Sequence, residues 1–320
     1  MPVLPGDFKT YLQLTLVACL WGGTFVAGRF LGPELPAMAA AALRFMLASL
    51  TLLGFLLLVH RQPWPRLNWR QTAQVCALGL VGIFAYNLCF FYGLSQISAS
   101  RASLIVALNP AGIALLAWLL YREQLSPLKL SGIAACIVGA MLVIISRDPN
   151  ALGSTWGAGQ GELLILGCVA SWTIYTVCAR PMTASIGPLF TVSFSIFAGS
   201  AMLLACAWWQ GELTVSLLGQ ISAAQWLSLA YLGVLGSALA YIWYYAAIAR
   251  IGAMRSGAFI ALNPLSAVLL SVLLLGEQIN LLIAIGGAIA IAGIYLCNRP
   301  AGFSWPRKRK ALIHPAAAPE

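Results

Sequence analysis

The chain alternates between long apolar stretches and short polar segments that contain proline, glycine or charge. An apolar stretch of about 20 residues is long enough to cross the hydrocarbon core of a bilayer as a helix. The first stretch runs past Trp21 to Leu31, which favours a membrane span over a signal peptide. The pattern predicts ten transmembrane helices near residues 11–31, 37–59, 72–94, 100–121, 128–146, 161–180, 187–209, 224–247, 254–275 and 280–298.

Composition indicates a protein that lies mostly within the membrane. Hydrophobic residues make up 61% of the chain, charged residues make up 8%, and the mean hydropathy is +0.89. A soluble domain, by contrast, carries about 25% charged residues. We therefore expect an all-α membrane protein whose surface largely contacts the lipid bilayer.

The chain contains an internal repeat. The sequence Ala-Leu-Asn-Pro at residues 107–110 returns unchanged at residues 261–264, an offset of 154. A weaker correspondence at an offset of 151 relates Trp21 to Trp172. Two copies of a five-helix unit explain both offsets, because loops can absorb the difference of three residues.

The distribution of lysine and arginine predicts the orientation of these units. If the N-terminus is cytoplasmic, 14 of the 18 lysines and arginines fall in cytoplasmic segments, as the positive-inside rule favours. A unit of five helices enters the membrane the other way up the second time, so the repeats at 11–146 and 161–298 are expected to be inverted. Both termini are then cytoplasmic, and we expect the basic tail, 299–320, to lie on anionic lipid and not to bind nucleic acid.

Inverted repeats are typical of secondary transporters, which bind a small-molecule substrate between the two halves. Aromatic and polar side chains near the middle of the predicted helices are candidates for that contact, because rings stack on apolar groups and on cations. Packing within the helix bundle is the alternative explanation for each of them. The candidates are Trp21, Thr24, Tyr86, Asn87, Asn109, Trp172, Tyr175, Tyr241 and Asn263.

Two prolines, Pro110 and Pro264, lie inside predicted helices. A proline removes one backbone hydrogen bond, which leaves the carbonyl of Val106 or Ile260 without its usual partner. In lipid, such a carbonyl must be satisfied by protein, water or ligand. Either the kinked helices present these groups to a central cavity, or the kinks serve packing alone.

Charged residues at helix ends form a second candidate group. Under the inverted repeat, Arg101 and Glu277 share the outer surface, whereas Arg255 and Glu123 share the inner one. We expect these pairs to act as alternating gates, with one pair closing as the other opens. The alternative is that they are solvated helix ends, since surface ion pairs contribute only about 0–1 kcal/mol.

Arg44 is the one charged residue placed plainly inside a predicted helix. Charges within a membrane are costly and usually functional, but Arg44 is close enough to the helix end to reach the interface. Both interpretations remain open. No carboxylate is expected at mid-membrane, which gives no support to a proton relay there, although protons are a candidate coupling ion.

The sequence offers no catalytic or cofactor motif. It lacks GxSxG, HExxH and P-loop patterns, and its eight cysteines lie within apolar stretches without a CxxC pair. We therefore expect neither enzymatic activity nor a metal or other cofactor. A membrane scaffold or receptor subunit and an intramembrane enzyme are the alternatives to a transporter.

These features together resemble the ten-span, EamA-type transporters of the drug/metabolite transporter superfamily. The second half departs from the pattern at Ser195, which stands opposite Arg44. The resemblance implies a proton- or gradient-linked carrier in a bacterial plasma (inner) membrane, usually an exporter. Its substrates would be small metabolites such as amino acids or their derivatives, or other small amphipathic or aromatic compounds. The marks that carry the resemblance are Trp21-Gly22, Arg44-Phe45, Pro110, Pro264, Glu123 and Glu277.

Overall fold

A computed structural model describes residues 5–32, 35–60, 62–122, 125–145, 159–251 and 259–297. These residues form an all-α protein, as the apolar pattern predicts. Two members of the expected gating group, Glu123 and Arg255, lie outside the described residues, as does the tail 299–320.

Ten apolar helices run through the described residues, and two short helices lie in their connections, Arg180–Ile186 and Val215–Gln220. Seven of the ten are long and apolar enough to cross a membrane. The other three contribute shorter apolar stretches, Pro127–Val143, Leu262–Leu275 and Leu281–Cys297. The ten are α1 (Pro5–Phe30), α2 (Ala37–His60), α3 (Trp69–Leu94), α4 (Ala99–Tyr121), α5 (Pro127–Ile145), α6 (Gln160–Cys178), α7 (Pro188–Trp209), α8 (Ala223–Ile251), α9 (Leu262–Leu275) and α10 (Leu281–Cys297).

The packing of α5 against α10 supports the inversion of the two repeats. A β-carbon added at Gly139 would lie 2.5 Å from the backbone nitrogen of Ala290, and one at Gly132 would lie 2.7 Å from that of Cys297. Later positions in α5 thus meet earlier positions in α10, so the helices are antiparallel. Because they are equivalent helices of the two copies, the copies have opposite directions.

Local irregularities recur in both copies. Both α3 and α8 begin with a capping box, in which Asn68 and Ser222 are the respective N-cap residues. Each of these helices then contains a π-helical segment, Leu80–Ala85 in α3 and Tyr231–Leu239 in α8. Duplicated caps and duplicated π segments indicate that the repeat preserves backbone geometry even where the sequences differ.

The contacts between helices are the same when the halves are exchanged. The packing of α1 on α9 is matched by that of α6 on α4, and the packing of α3 on α6 is matched by that of α8 on α1. Likewise, α2 packs on α8 as α7 packs on α3. The largest buried apolar cluster contains residues of both halves, so the centre of the molecule is an interface between the repeats.

The α5–α10 interface yields a prediction about stability. We expect Gly139→Ala to destabilise the protein by about 1–3 kcal/mol, because the added methyl group would overlap the backbone of α10. Thermal unfolding of the purified protein in detergent measures the effect.

Gly54→Ala is the matched control, because Gly54 is also inside a helix but has no atom within 4 Å of an added β-carbon among the described residues. Gly54→Ala should melt at or above the wild-type temperature. A Gly139→Ala variant that melts with it would contradict the tight contact.

Candidate functional site

A cavity lies at the interface between the repeats. Its volume is about 80 Å³, and residues of α1, α2, α3, α4, α6 and α8 line it together with the start of α9. Its lining residues are Trp21, Thr24, Phe25, Arg44, Phe45, Gly82, Ile83, Tyr86, Asn87, Val106, Asn109, Trp172, Gly236, Tyr241, Ile260 and Asn263.

This cavity brings together eight of the nine candidate substrate contacts from the sequence. The ninth, Tyr175, is outside the lining and packs behind it. Its ring centroid lies 5.6 Å from that of Trp172, and its hydroxyl is 3.0 Å from the Ser195 hydroxyl oxygen. Tyr175 is therefore placed to support Trp172 and does not face the cavity.

Four aromatic rings form a continuous wall along the cavity. The ring centroid of Trp172 lies 6.0 Å from that of Tyr86 and 6.5 Å from that of Tyr241. Trp21 continues the row at 5.8 Å from Tyr241. Since Trp21 and Tyr86 belong to one repeat and Trp172 and Tyr241 to the other, the two halves build this wall together.

The irregular backbone of α8 holds one end of the wall. Trp21 Nε1 donates to the carbonyl oxygen of Gly236 at 3.0 Å, inside the π-helical segment of α8. π-Helical turns are frequent at functional sites because they free backbone groups and shift side chains. A β-carbon at Gly236 would lie 2.6 Å from Thr24 Cγ2, so glycine is what allows α8 to approach α1 this closely.

Helix breaks place two asparagines at the cavity. Helix α4 consists of two segments, Ala99–Val106 and Asn109–Tyr121, with Pro110 in the first turn of the second segment. Proline is well tolerated there, because the first turn needs no amide donor. In the other copy, a 3₁₀ turn, Phe259–Ala261, precedes α9 at the equivalent place.

The asparagine side chains at these two places each have a carbonyl oxygen without a hydrogen-bond donor among the described residues. Asn109 and Asn263 line the cavity, and their Oδ1 atoms are buried without a hydrogen-bond partner in the described part of the chain. Val106 and Ile260, whose carbonyls the prolines were expected to free, also line the cavity. The breaks therefore deliver polar groups from both repeats to the same space.

Arg44 lies in the cavity wall and is only 7% exposed. Its Nε donates to the Ser237 hydroxyl at 3.3 Å, and one terminal nitrogen donates to Asn87 Oδ1 at 3.2 Å. The guanidinium carbon lies 5.6 Å from the centroid of the Phe90 ring. Of the two sequence interpretations, this position corresponds to the inward one.

Arg44 has no charged equivalent in the other repeat. Ser195 occupies the equivalent position and bonds to Tyr175. Among the described residues, no carboxylate lies within 4 Å of the guanidinium. The asparagines that line the cavity are equivalent in the two repeats, whereas the arginine among the lining residues belongs to the first repeat and has no charged equivalent in the second.

A second polar cluster lies at the N-terminal end of α4. Arg101 forms an ion pair with Glu162 at 3.1 Å, and both side chains are less than 9% exposed. Arg101 also donates to the Val143 carbonyl at 3.2 Å. Glu277 lies at the same end, where its carboxylate accepts from the backbone nitrogens of Ala99 and Ser100 at 2.9 and 3.1 Å.

This cluster differs from the simple pairing that the repeat suggests. The sequence pairs Arg101 with Glu277, but Glu277 caps α4, where the positive end of the helix dipole stabilises a carboxylate. Glu162 supplies the ion pair instead. Its equivalent in the first repeat is Tyr11, so the symmetry of the sequence contains no signal for it.

Comparison with known proteins follows the same two-part division. The EamA-like transporter family matches residues 8–145 and 159–299. The chain is 27% identical to the uncharacterized transporter YyaM of Bacillus subtilis, over 89% of this chain and 92% of that protein. It is also 27% identical to a probable terminal-alkyne amino-acid exporter of Streptantibioticus cattleyicolor, over 91% of this chain and 94% of that protein.

A solved crystal structure is similar in fold. It superposes with a TM-score of 0.65 at 21% sequence identity, and the match covers 90% of this chain and 98% of the other. At that identity the similarity concerns the fold alone.

The buried ion pair at the end of α4 generates a prediction. We expect Glu162→Gln to destabilise the protein by about 3–5 kcal/mol, because it removes the negative charge that faces the buried Arg101 guanidinium. The double variant Arg101→Gln with Glu162→Gln should recover part of that loss, because the buried positive charge is removed as well.

Thermal unfolding in detergent compares the variants, with Arg70→Gln as the control at an exposed arginine. A Glu162→Gln protein as stable as the control, or a double variant less stable than Glu162→Gln alone, would argue against the pair.

Proposed function

The chain belongs to the EamA-like transporter family, and on that premise we propose that it is a secondary transporter that exports small metabolites by alternating access. The family and the apolar helices make it an integral membrane protein with a small-molecule substrate. In this proposal the two repeats exchange conformations around one central site.

The observation that carries the proposal is the central cavity, to which the two repeats contribute irregular backbone at equivalent places, the break in α4 and the 3₁₀ turn before α9. Irregular backbone at membrane depth is tolerated where it lines a cavity, and transporters place substrate sites at such breaks between inverted repeats. Asn109 and Asn263 stand at the two breaks. If the two repeats exchange conformations during transport, both must contribute to a single substrate site.

The size of the cavity supports movement of the halves. A ligand pocket commonly measures about 300–1,000 Å³, whereas this cavity measures about 80 Å³. A metabolite therefore enters only when the helices around the cavity separate. The conformation described here corresponds to an occluded step in such a cycle.

The two ends of the cavity are packed differently. A crevice too narrow to hold a water molecule lies along α1 beside Trp21 and is lined by Leu14, Val17, Tyr244 and Phe259. The residues equivalent to Tyr244 and Phe259 in the first repeat, Phe90 and Ile105, are fully buried.

The tighter end is also the end of the Arg101 cluster. We propose that Arg101, Glu162 and Glu277 close the outer side, and that Glu123 and Arg255 serve the inner side. The charge bias favours cytoplasmic termini in a bacterial inner membrane, so the crevice would face the cytoplasm. That polarity suits an exporter, which loads its substrate from inside.

The proposed substrates are amino acids or their derivatives and other small amphipathic or aromatic compounds. The aromatic wall supports this, because ring faces bind apolar side chains and cations. The similar protein described as a probable amino-acid exporter supports it as well. No carboxylate is among the lining residues, so proton coupling would have to act through groups outside the cavity.

Transport assays on reconstituted protein test the proposal. We expect saturable flux in proteoliposomes for at least one class in a panel of amino acids, aromatic metabolites and organic cations, measured with and without a pH gradient. Trp172→Ala should reduce that flux at least about tenfold, because it removes the middle ring of the wall.

Trp209→Ala is the matched control, because Trp209 is 88% exposed and should be replaceable at little cost. No saturable flux from a folded preparation would contradict the proposed function. Equal loss in the two tryptophan variants would contradict the assignment of the cavity.

A further inference from the structure

Two equivalent glutamines connect the repeats at opposite ends of the molecule, and the role inferred for them rests on the proposed transport function. Gln71 lies near the start of α3, and Gln225, 154 residues later, lies at the same place in α8. Each donates a hydrogen bond to the opposite repeat. We propose that Gln71 and Gln225 are positioning residues whose bonds hold the inner and the outer end of the molecule closed, and that the ends open as these bonds break in turn.

The carboxamide oxygen of each glutamine bonds within its own helix. It accepts from the backbone nitrogen of the N-cap residue, at 3.0 Å from Asn68 to Gln71 and at 2.9 Å from Ser222 to Gln225. The N-cap side chain in turn accepts from the backbone nitrogen of the glutamine. This capping box fixes the orientation of the carboxamide, and the carboxamide nitrogen remains to donate elsewhere.

In both repeats, that nitrogen donates to the connection between the first two helices of the other repeat. Gln71 Nε2 lies 2.9 Å from the hydroxyl oxygen of Ser185, between α6 and α7. Gln225 Nε2 lies 2.9 Å from the carbonyl oxygen of Leu31, between α1 and α2. In the topology that the charge bias favours, the Gln71 bond is the inner contact and the Gln225 bond is the outer contact. The cap and the bond between the repeats are therefore duplicated together.

The two contacts differ in their surroundings. Ser185 is exposed, so water can replace the bond of the inner contact. Leu31 is 2% exposed, and its carbonyl lies at the C-terminal end of α1, where helix carbonyls have no partner within the helix. The outer contact therefore costs more to break, because a buried acceptor is left without a donor. This difference agrees with the tighter packing of the outer end.

Each glutamine shares its helix with a wall of the cavity. Gly82 in α3 and Gly236 in α8 are equivalent residues that line the cavity, each eleven residues beyond its glutamine and within a π-helical segment. Separation of the helices around the cavity would tilt α3 or α8 against the opposite repeat and stretch the bond at the start of that helix. Loss of the outer contact would thus favour opening of the outer end, and loss of the inner contact would favour opening of the inner end.

Exchange of each glutamine for glutamate separates the contact from the cap. Gln71→Glu and Gln225→Glu keep an oxygen that accepts from the N-cap nitrogen, as glutamate does in capping boxes, but they remove the donor to the other repeat. Gln74→Glu in α3 and Gln220→Glu before α8 are matched controls, because they make the same charge change at exposed positions. Ser185→Ala removes the inner acceptor without any change of charge.

Two buried, repeat-equivalent positions report the opening of each end in the full-length protein. Leu14, in the inner half of α1, is 1% exposed, and Ile165, in the outer half of α6, is 0% exposed. Leu14→Cys is the inner reporter and Ile165→Cys the outer reporter, each on a background with the eight native cysteines replaced. The rate of labelling by a water-soluble maleimide is measured in lipid nanodiscs, which leave both faces open to the reagent. This measurement needs no transport.

Gln225→Glu should speed labelling of the outer reporter by about twofold to tenfold, the range that loss of one hydrogen bond gives, and should make the inner reporter no faster. Gln71→Glu should do the reverse, and Ser185→Ala should act as Gln71→Glu does. Glutamines that only stabilise their own helices would instead give general loosening, with both reporters faster in both variants.

The inference is overturned if Gln225→Glu labels the outer reporter no faster than Gln220→Glu does, or if Gln71→Glu labels the inner reporter no faster than Gln74→Glu does. It is also overturned if both reporters respond alike in the two variants. In each of those cases, saturable flux by the wild-type protein in proteoliposomes would leave the proposed transport function standing. Labelling specific to one end without saturable flux would support the two contacts and contradict the transport function.

Discussion

Hydrocarbon offers no hydrogen-bond partner to a backbone amide or carbonyl, and this constraint governs the whole molecule. A membrane helix is broken only where protein or a cavity can satisfy the exposed groups. Here α4 is interrupted between Val106 and Asn109, a 3₁₀ turn precedes α9 at the equivalent place, and the asparagine before each proline lines one cavity. The cavity therefore exists at the place where the duplicated chain departs from regular helix.

The two repeats pack in the same way but differ in a few charged residues. The equivalent packing of α1 on α9 and of α6 on α4 is what the proposed exchange of conformations between the two halves requires. The groups that give chemical character to the site and its outer end are the ones that the repeat does not copy. Arg44 is opposite Ser195, and Glu162 is opposite Tyr11. In the proposed mechanism, the duplicated fold would supply the movement, and Arg44 and Glu162, which have no charged equivalent in the other repeat, would give the site and its outer end their charge.

The sequence predicts the features that depend on composition and period. The all-α membrane fold and its division into two repeats are confirmed by the helices and by the family match. Asn109 and Asn263 could be singled out because their motif is repeated letter for letter, and Trp172 because it is aromatic at mid-helix. Each of these signals can be read from the order of the residues alone.

Other features depend on which helix faces which. The direction taken by Arg44 is set by Asn87 and Ser237, which lie on two different helices. The partner of Arg101 belongs to α6, and Tyr175 is screened from the cavity by Trp172. No pattern in a single sequence ranks such alternatives, because they are decided by packing between segments far apart in the chain.

The central claim is that the two ends of the cavity open in turn. Spin labels at Gln96 and Ile279 report on the end near Glu277, and labels at Leu125 and Arg250 occupy the repeat-equivalent positions at the other end. Double electron–electron resonance in liposomes, on a background with the eight native cysteines replaced, measures both distances. The account predicts that a transported substrate shifts the two distance distributions in opposite directions. Distances that stay unchanged, or that lengthen together, would contradict it.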